Sequence, residues 1–83
     1  MQNTPNPFVT DTEIEYYISK KAESAMLIIH DLNGLERLSF TITERAYGSK
    51  VIEASQLEAG MYLYTLLVDG KIIDSKRMIL TAE

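Results

Sequence analysis

Apolar residues recur at every second position along much of the chain, and this alternation is the feature that most constrains the fold. It is clearest in residues 13–18, where the apolar positions are Ile14, Tyr16 and Ile18, and in residues 38–43. A period of two places successive side chains on opposite faces of a half-buried strand. Only residues 55–59 could form even one helical turn. The pattern therefore predicts an all-β chain.

Further strands are predicted from apolar content and turn signals. Residues 25–29 form a continuous apolar run, typical of a central strand covered on both faces. Residues 51–54 indicate a weaker strand, residues 61–68 the strongest one, and residues 71–80 the last. Asp69-Gly70 is typical of a two-residue hairpin, and residues 31–34 fit a type I turn.

Six or seven short strands at about ten-residue spacing are typical of an antiparallel β-sandwich of immunoglobulin-like type. The residues that we expect to contribute to its core are Ile14, Tyr16, Leu27, Ile29, Phe40, Leu66 and Met78. We expect one domain over residues 9–83. Residues 1–8, with Pro5 and Pro7, read as a linker that joins the domain to something upstream.

Composition limits how such a domain can be stabilised and what it can bind. The 83 residues include no cysteine and one histidine, so we expect the core to depend on packing alone, with no metal or cofactor. The net charge of −4 argues against nucleic-acid binding. No apolar run approaches the roughly 20 residues of a membrane span, and residues 1–5 do not resemble a signal peptide.

Catalytic chemistry is not predicted either. His30 and Asp31 are adjacent in a strand, so they should point to opposite faces and cannot orient one another as a catalytic pair. Asp31-x-Asn33-Gly34 weakly resembles the start of a calcium-binding loop, but its glycine is the fourth residue, where a hairpin turn needs one, and not the sixth. We therefore expect a domain without catalytic or metal-binding residues.

Five tyrosines leave one binding function open. Tyr62 and Tyr64 share a face of the strongest strand and could stack on sugars, although packing inside the sandwich is favoured for so apolar a strand. The adjacent bases Lys76 and Arg77 are, taken alone, typical of a solvated strand end. The alternative function is thus an Ig-like carbohydrate- or protein-binding module of a bacterial surface protein.

Several motifs resemble a known family when taken together. They are Gln2-Asn3-x-Pro5-Asn6-Pro7-Phe8, Thr12-x-Ile14-x-Tyr16-x-Ile18, Leu27-x-Ile29-x-Asp31-x-x-Gly34, Leu57-x-x-Gly60-x-Tyr62-x-Tyr64-x-Leu66, and the closing Gly70, Lys76 and Met78-Ile79-Leu80. Over nearly its whole length, the chain resembles a C-terminal sorting domain of the type IX (Por) secretion system of Bacteroidetes.

That resemblance implies a domain that serves as a secretion signal and performs no chemistry. The attached cargo would cross the inner membrane and reach the periplasm, where the outer-membrane translocon would recognise the folded domain. A sortase-like peptidase would then remove the domain and often anchor the cargo at the cell surface. The residues expected to carry this sorting signal are Gly60, Tyr62, Tyr64, Gly70, Lys76, Arg77, Met78 and Leu80.

A physical argument places this signal at the end of the chain. Residues 70–83 hold three bases and two acids on an otherwise acidic body, so this end would suit an acidic receptor surface. A last strand also leaves an edge of unpaired backbone groups, which is a natural docking template. We therefore expect the final hairpin to present Lys76 and Arg77 beside a free strand edge.

Overall fold

The computed structural model describes residues 2–81 of the chain, and these form seven β-strands. The strands are β1 (Gln2–Thr4), β2 (Asp11–Ile18), β3 (Ala25–Asp31), β4 (Glu36–Thr41), β5 (Ala46–Glu53), β6 (Gly60–Val68) and β7 (Lys71–Leu80). A 3₁₀ turn, Ala54–Gln56, follows β5. The helical turn predicted over residues 55–59 thus begins one residue earlier and is shorter. In the described part of the chain, no helix has the length and apolar content to cross a bilayer.

The strands form two antiparallel sheets that pack face to face. One sheet has the order β1-β2-β5, and the other has the order β4-β3-β6-β7. We refer to them as the three-stranded and four-stranded sheets. This division of the strands between two sheets is that of an immunoglobulin-like sandwich in which β4 belongs to the larger sheet. The predicted fold class is confirmed.

The core lies between the inward-facing residues of both sheets. It contains Phe8, Ile14, Tyr16, Ile18, Ala25, Leu27, Ile29, Ile42, Ile52, Tyr62, Tyr64, Leu66, Met78 and Leu80. Six of the seven predicted core residues are buried. Phe40 packs against the core but stays half-buried because β4 is an edge strand, and Lys50 Nζ lies 4.5 Å from its ring centroid.

The apolar run in β3 was expected to be covered on both faces, and this expectation is wrong. Leu27 and Ile29 are buried between the sheets, whereas Met26 and Ile28 are only half-buried on the outer face of the four-stranded sheet. The strand is central, with β4 on one side and β6 on the other. The run is therefore apolar on a face that no part of residues 2–81 fully covers.

Both predicted turns form as expected. Asp69 and Gly70 have φ angles of +52° and +78°, the two left-handed residues of a type I′ hairpin. In the turn at residues 31–34, the Gly34 N–H donates to the Asp31 carbonyl at 3.0 Å. The Asp31 carboxylate accepts N–H groups from Asn33 and Leu35, and these bonds hold its pKa below the usual range.

The first residues, interpreted from the sequence as a linker, are integrated in the sandwich over the part described. β1 pairs antiparallel with β2, placing Asn3 opposite Ile14. The buried Asn3 side chain donates to Thr12 Oγ1 at 3.1 Å. Phe8 is 1% exposed and is one of the largest buried side chains. The sequence feature that could have shown that this segment belongs to the sandwich is Phe8, a large apolar residue directly after Pro7.

Candidate functional site

The residues expected to carry the sorting signal lie on the β6–β7 hairpin, and half of them are core residues. Tyr62, Tyr64, Met78 and Leu80 are each at most 6% exposed. The exposed positions are Gly60, Gly70, Lys76 and Arg77. A partner that docks on the folded domain reaches very little of the surface of the buried four, so their influence on recognition acts mainly through the fold.

Tyr62 illustrates how the sequence motif serves the fold. Its hydroxyl donates to the Glu58 carbonyl four residues upstream, and Leu57 packs against the core. A tyrosine near the start of this strand, bonded back to the preceding backbone, is the tyrosine corner of immunoglobulin-like domains. Leu57-x-x-Gly60-x-Tyr62 is therefore a structural motif in this chain. The prediction that Tyr62 and Tyr64 pack inside the sandwich is confirmed.

Tyr64 is a buried residue of β6, and burial is the main reason that the pKa of its hydroxyl is raised. The Asn3 backbone partly offsets the rise in this pKa, and the charge of Asp74 adds to it. Asn3 belongs to β1 in the three-stranded sheet, and Tyr64 belongs to β6 in the four-stranded sheet. Both residues line one cleft, so a predicted site residue lies beside the N-terminal segment.

Lys76 and Arg77 do not form a single patch. Lys76 lies opposite Tyr64, on the side of β7 that faces the other sheet, whereas Arg77 lies opposite Leu63 on the outer face. Both side chains are exposed because β7 is an edge strand. A flat partner on either face meets one of these cations, and only a partner that approaches the edge of β7 meets both.

The edge of β7 is not open along its whole length, which corrects the expectation of a free final edge. The Asn6 side chain donates to the Arg77 carbonyl at 3.3 Å and accepts the Ile79 N–H at 3.0 Å. The Phe8 backbone continues the pairing with bonds of 2.9 Å to the Ile79 carbonyl and the Thr81 N–H. Phe8 also forms a parallel bridge with Leu80.

The way in which Asn6–Phe8 pairs follows from its sequence. Pro5 and Pro7 have no backbone N–H with which to extend a ladder, so the side-chain amide of Asn6 supplies one donor and one acceptor instead. We call residues 6–8, paired with β7, the N-terminal strap. The strap leaves the part of the edge before Arg77 uncovered by these contacts.

A cleft lies beside the strap, between β1 and β7. It is lined by Asn3, Thr4, Asn6, Tyr64, Lys76 and Arg77. Three of these residues were expected at a recognition site, and the three from the N-terminal segment were not. The cleft thus brings together both ends of the chain, whose contact could not be read from sequence spacing. We refer to it as the edge cleft.

Other candidate chemistry is accounted for by local structure. The Asp31 carboxylate forms a salt bridge of 3.0 Å with Arg37 and holds its own turn, while His30 is half-buried on the outer face of β3. Within residues 2–81, no group of three or more histidine, cysteine or acidic side chains is placed to hold a metal ion.

One aromatic pair lies on the opposite side of the molecule. Tyr17 and Tyr47 face each other across β2 and β5, with ring centroids 4.9 Å apart in an edge-to-face arrangement. They are 54% and 85% exposed. The same outer face of the three-stranded sheet carries the exposed carboxylates of Asp11, Glu13, Glu15 and Glu53, and we call it the acidic face. Sequence reasoning had not singled out this tyrosine pair.

Comparisons with family models, curated proteins and solved structures give no match to this chain. The motifs in the sequence, and their places in the fold, are therefore the basis for assigning a function.

Proposed function

We propose that this domain is a C-terminal secretion signal, which directs an attached cargo protein across the outer membrane through the type IX secretion system. The domain would be read in the periplasm by the translocon, and a sortase-like peptidase would then release it and leave the cargo at the surface. The observation that carries the proposal is the strap. The opening motif around Asn6 and the closing strand, both part of the family resemblance, form one joined surface.

A receptor that reads a folded domain needs groups that are exposed and held in fixed positions. The edge cleft supplies Lys76 and Arg77 on either side of an edge that the strap fixes in place. These two cations stand out against the chain's net charge of −4. Electrostatic complementarity of this kind raises the association rate with an acidic partner and excludes basic ones.

The test is export of a secreted reporter fused to residues 1–83 in a bacterium that has this secretion system. We expect removal of residues 76–83 to leave the reporter in the periplasm. A Lys76→Ala/Arg77→Ala variant should also lower surface export while keeping the fold, because exposed charges usually alter stability by no more than about 0.5 kcal/mol each. Lys20→Ala/Lys21→Ala is the matched control, since it removes an equally exposed pair of adjacent cations elsewhere.

Two outcomes would count against the proposal. Surface export of the truncated fusion would mean that the end of the chain carries no address. Equal loss of export in the control pair and in the Lys76/Arg77 pair would mean that only net charge matters. Circular dichroism of the purified variants separates loss of signal from loss of fold.

The second candidate is the Ig-like binding module, and the Tyr17–Tyr47 pair favours it. Exposed aromatic rings on an open sheet face are the usual platform for stacking on sugars or for anchoring a protein partner. A Tyr17→Ala/Tyr47→Ala variant should then lose binding to a panel of oligosaccharides while the reporter is still exported. Absence of any oligosaccharide or protein ligand for the parent domain would remove this candidate.

A further inference from the structure

The outer face of the four-stranded sheet carries several apolar side chains on its two central strands. Following the strand registers, Met26 and Ile28 lie on β3, Leu63 and Leu67 lie on β6, and Ile72 lies on the edge strand β7. Ile72 is 70% exposed, and Met26 and Ile28 are half-buried. We call this the apolar face. Contiguous exposed apolar surface on a small domain is typical of an interaction site.

Two of the polar groups on the apolar face can be buried at little cost. Ser39, Ile28, Thr65 and Ser75 form one row across the four strands. In this row, Thr65 Oγ1 and Ser75 Oγ hydrogen-bond to each other at 3.1 Å, so removing water leaves both hydroxyls with a partner. A partner therefore does not need to supply polar groups for these two hydroxyls.

Among residues 2–81, the charged side chains on this face lie at its two rims, and they are of opposite sign. The registers place Glu36, His30, Leu63 and Arg77 in one row, with Glu36 on β4 at one rim and Arg77 on β7 at the other. Both rim side chains are exposed. Such a row is complementary to a second copy of itself when β4 of one copy lies over β7 of the other, because each anion then meets a cation.

We propose that two copies of this chain associate through their apolar faces, about a two-fold axis parallel to the strands. Rotation by 180° about such an axis keeps every row at its height and exchanges β4 with β7. Glu36 of each copy then lies opposite Arg77 of the other, so both rims close with ion pairs. The apolar rows meet between them, as in the aligned packing of two sheets.

The distribution of the remaining charge is compatible with this pairing. The acidic face lies on the other sheet, so association turns the two acidic faces outward. Sheets stack about 10 Å apart, and four stacked sheets hold the two acidic faces roughly 30 Å from each other. That separation exceeds the Debye length of about 8 Å at physiological salt, so repulsion between the acidic faces is largely screened.

The size of the face predicts a weak dimer. Four strands about 4.8 Å apart and about seven residues long, at roughly 3.3 Å per residue, give a face of about 19 by 23 Å. Two such faces bury on the order of 900 Å², which is below the range of about 1,200–2,000 Å² for stable complexes. We therefore expect a dissociation constant of roughly 10 μM to 1 mM.

The experiment is sedimentation equilibrium of the 83-residue chain between about 10 μM and 1 mM. The weight-average mass should rise from the monomer's 9.4 kDa toward twice that value. Glu36→Arg and Arg77→Glu each place like charges together at both rims, so each should raise the dissociation constant about tenfold. The Glu36→Arg/Arg77→Glu double variant should return it to within about threefold of the parent, because the ion pairs are restored in reverse.

Glu15→Lys is the matched control, since it changes the net charge as Glu36→Arg does but lies on the acidic face. It should leave association unchanged. A chain that is monomeric at 1 mM overturns the proposal, as does a dimer that is insensitive to the rim swaps or is strengthened by Glu36→Arg alone. Each variant is first matched to the parent by circular dichroism, and Ile72→Ser, which also should weaken the dimer, replaces any rim variant that does not fold.

Discussion

Replacing Asn6 by alanine removes both side-chain bonds that hold the strap to β7. These bonds join Asn6 to the Arg77 carbonyl and to the Ile79 N–H at 3.3 and 3.0 Å. A typical intramolecular hydrogen bond contributes about 0.5–1.5 kcal/mol, and both bonds here are exposed, the one to the Arg77 carbonyl being the longer at 3.3 Å. We therefore expect the free energy of unfolding to fall by about 1–2 kcal/mol. For a domain of this size, that corresponds to roughly 4–16 °C in Tm.

Urea denaturation and amide hydrogen exchange together measure this effect. The urea midpoint should fall at an unchanged slope. Exchange of the Ile79 amide should rise more than exchange of amides in the centre of β6, because the strap opens without global unfolding. Asn33→Ala is the control, since this asparagine is exposed in a turn to which it contributes its backbone N–H.

Asn6→Asp refines the test because it keeps an acceptor for the Ile79 N–H but loses the donor to the Arg77 carbonyl. Its stability should not exceed that of the parent. The explanation would be refuted if Asn6→Ala and Asn33→Ala gave the same midpoint, or if the Ile79 amide of Asn6→Ala exchanged as slowly as it does in the parent.

Two further predictions concern the β6–β7 turn. Gly70 has φ +78° with no atom within 4 Å of an added Cβ, so Gly70→Val should cost about 1–3 kcal/mol through backbone strain alone, and an unchanged urea midpoint would reject this. The Ser24 and Glu23 N–H groups bind the Asp69 carboxylate and lower its pKa below the ordinary 3.8, so its contribution to stability is present above that value and is lost as the pH falls toward the folded pKa. The stability gap between the parent and Asp69→Asn should thus narrow below about pH 4, and a gap that is constant from pH 6 to 2 would exclude this linkage.

Much of the fold could be predicted because period-two patterning and turn chemistry are local signals. Asp69-Gly70 and Asp31–Gly34 specify their turns through residues that tolerate or require positive φ. The buried set was mostly predictable for the same reason. Met26 and Ile28 misled the prediction because an apolar run indicates burial on both faces, and here the second face stays half-buried.

The site was less predictable because it is assembled from opposite ends of the chain. Asn6 and Arg77 are 71 residues apart, and no periodicity links them. Proline on both sides of Asn6 reads locally as an irregular linker. Asn6 can pair like a strand residue because its side-chain amide has one donor and one acceptor. These groups fit the backbone of β7 only when β7 lies beside them in the fold.

The tyrosine corner changes how the family resemblance supports a function. Tyr62 closes this corner through its hydroxyl, and Leu57 packs against the core, so the presence of both residues argues for the fold and adds little about export. Specific information must then lie in residues that the fold does not need. Lys76 and Arg77 meet this condition because they are exposed and their side chains can be removed without disturbing the core.

Arg77 also connects the two proposals. It lines the edge cleft and stands at the rim of the apolar face, whereas Lys76 belongs to the cleft alone. A dimer closed through Glu36 and Arg77 would occupy the arginine and leave the lysine accessible, so receptor binding and self-association would compete for one cation. Because the expected dimer is weak, this competition would favour the receptor whenever the domain is dilute, and the proposed cargo would then be recognised as a monomer.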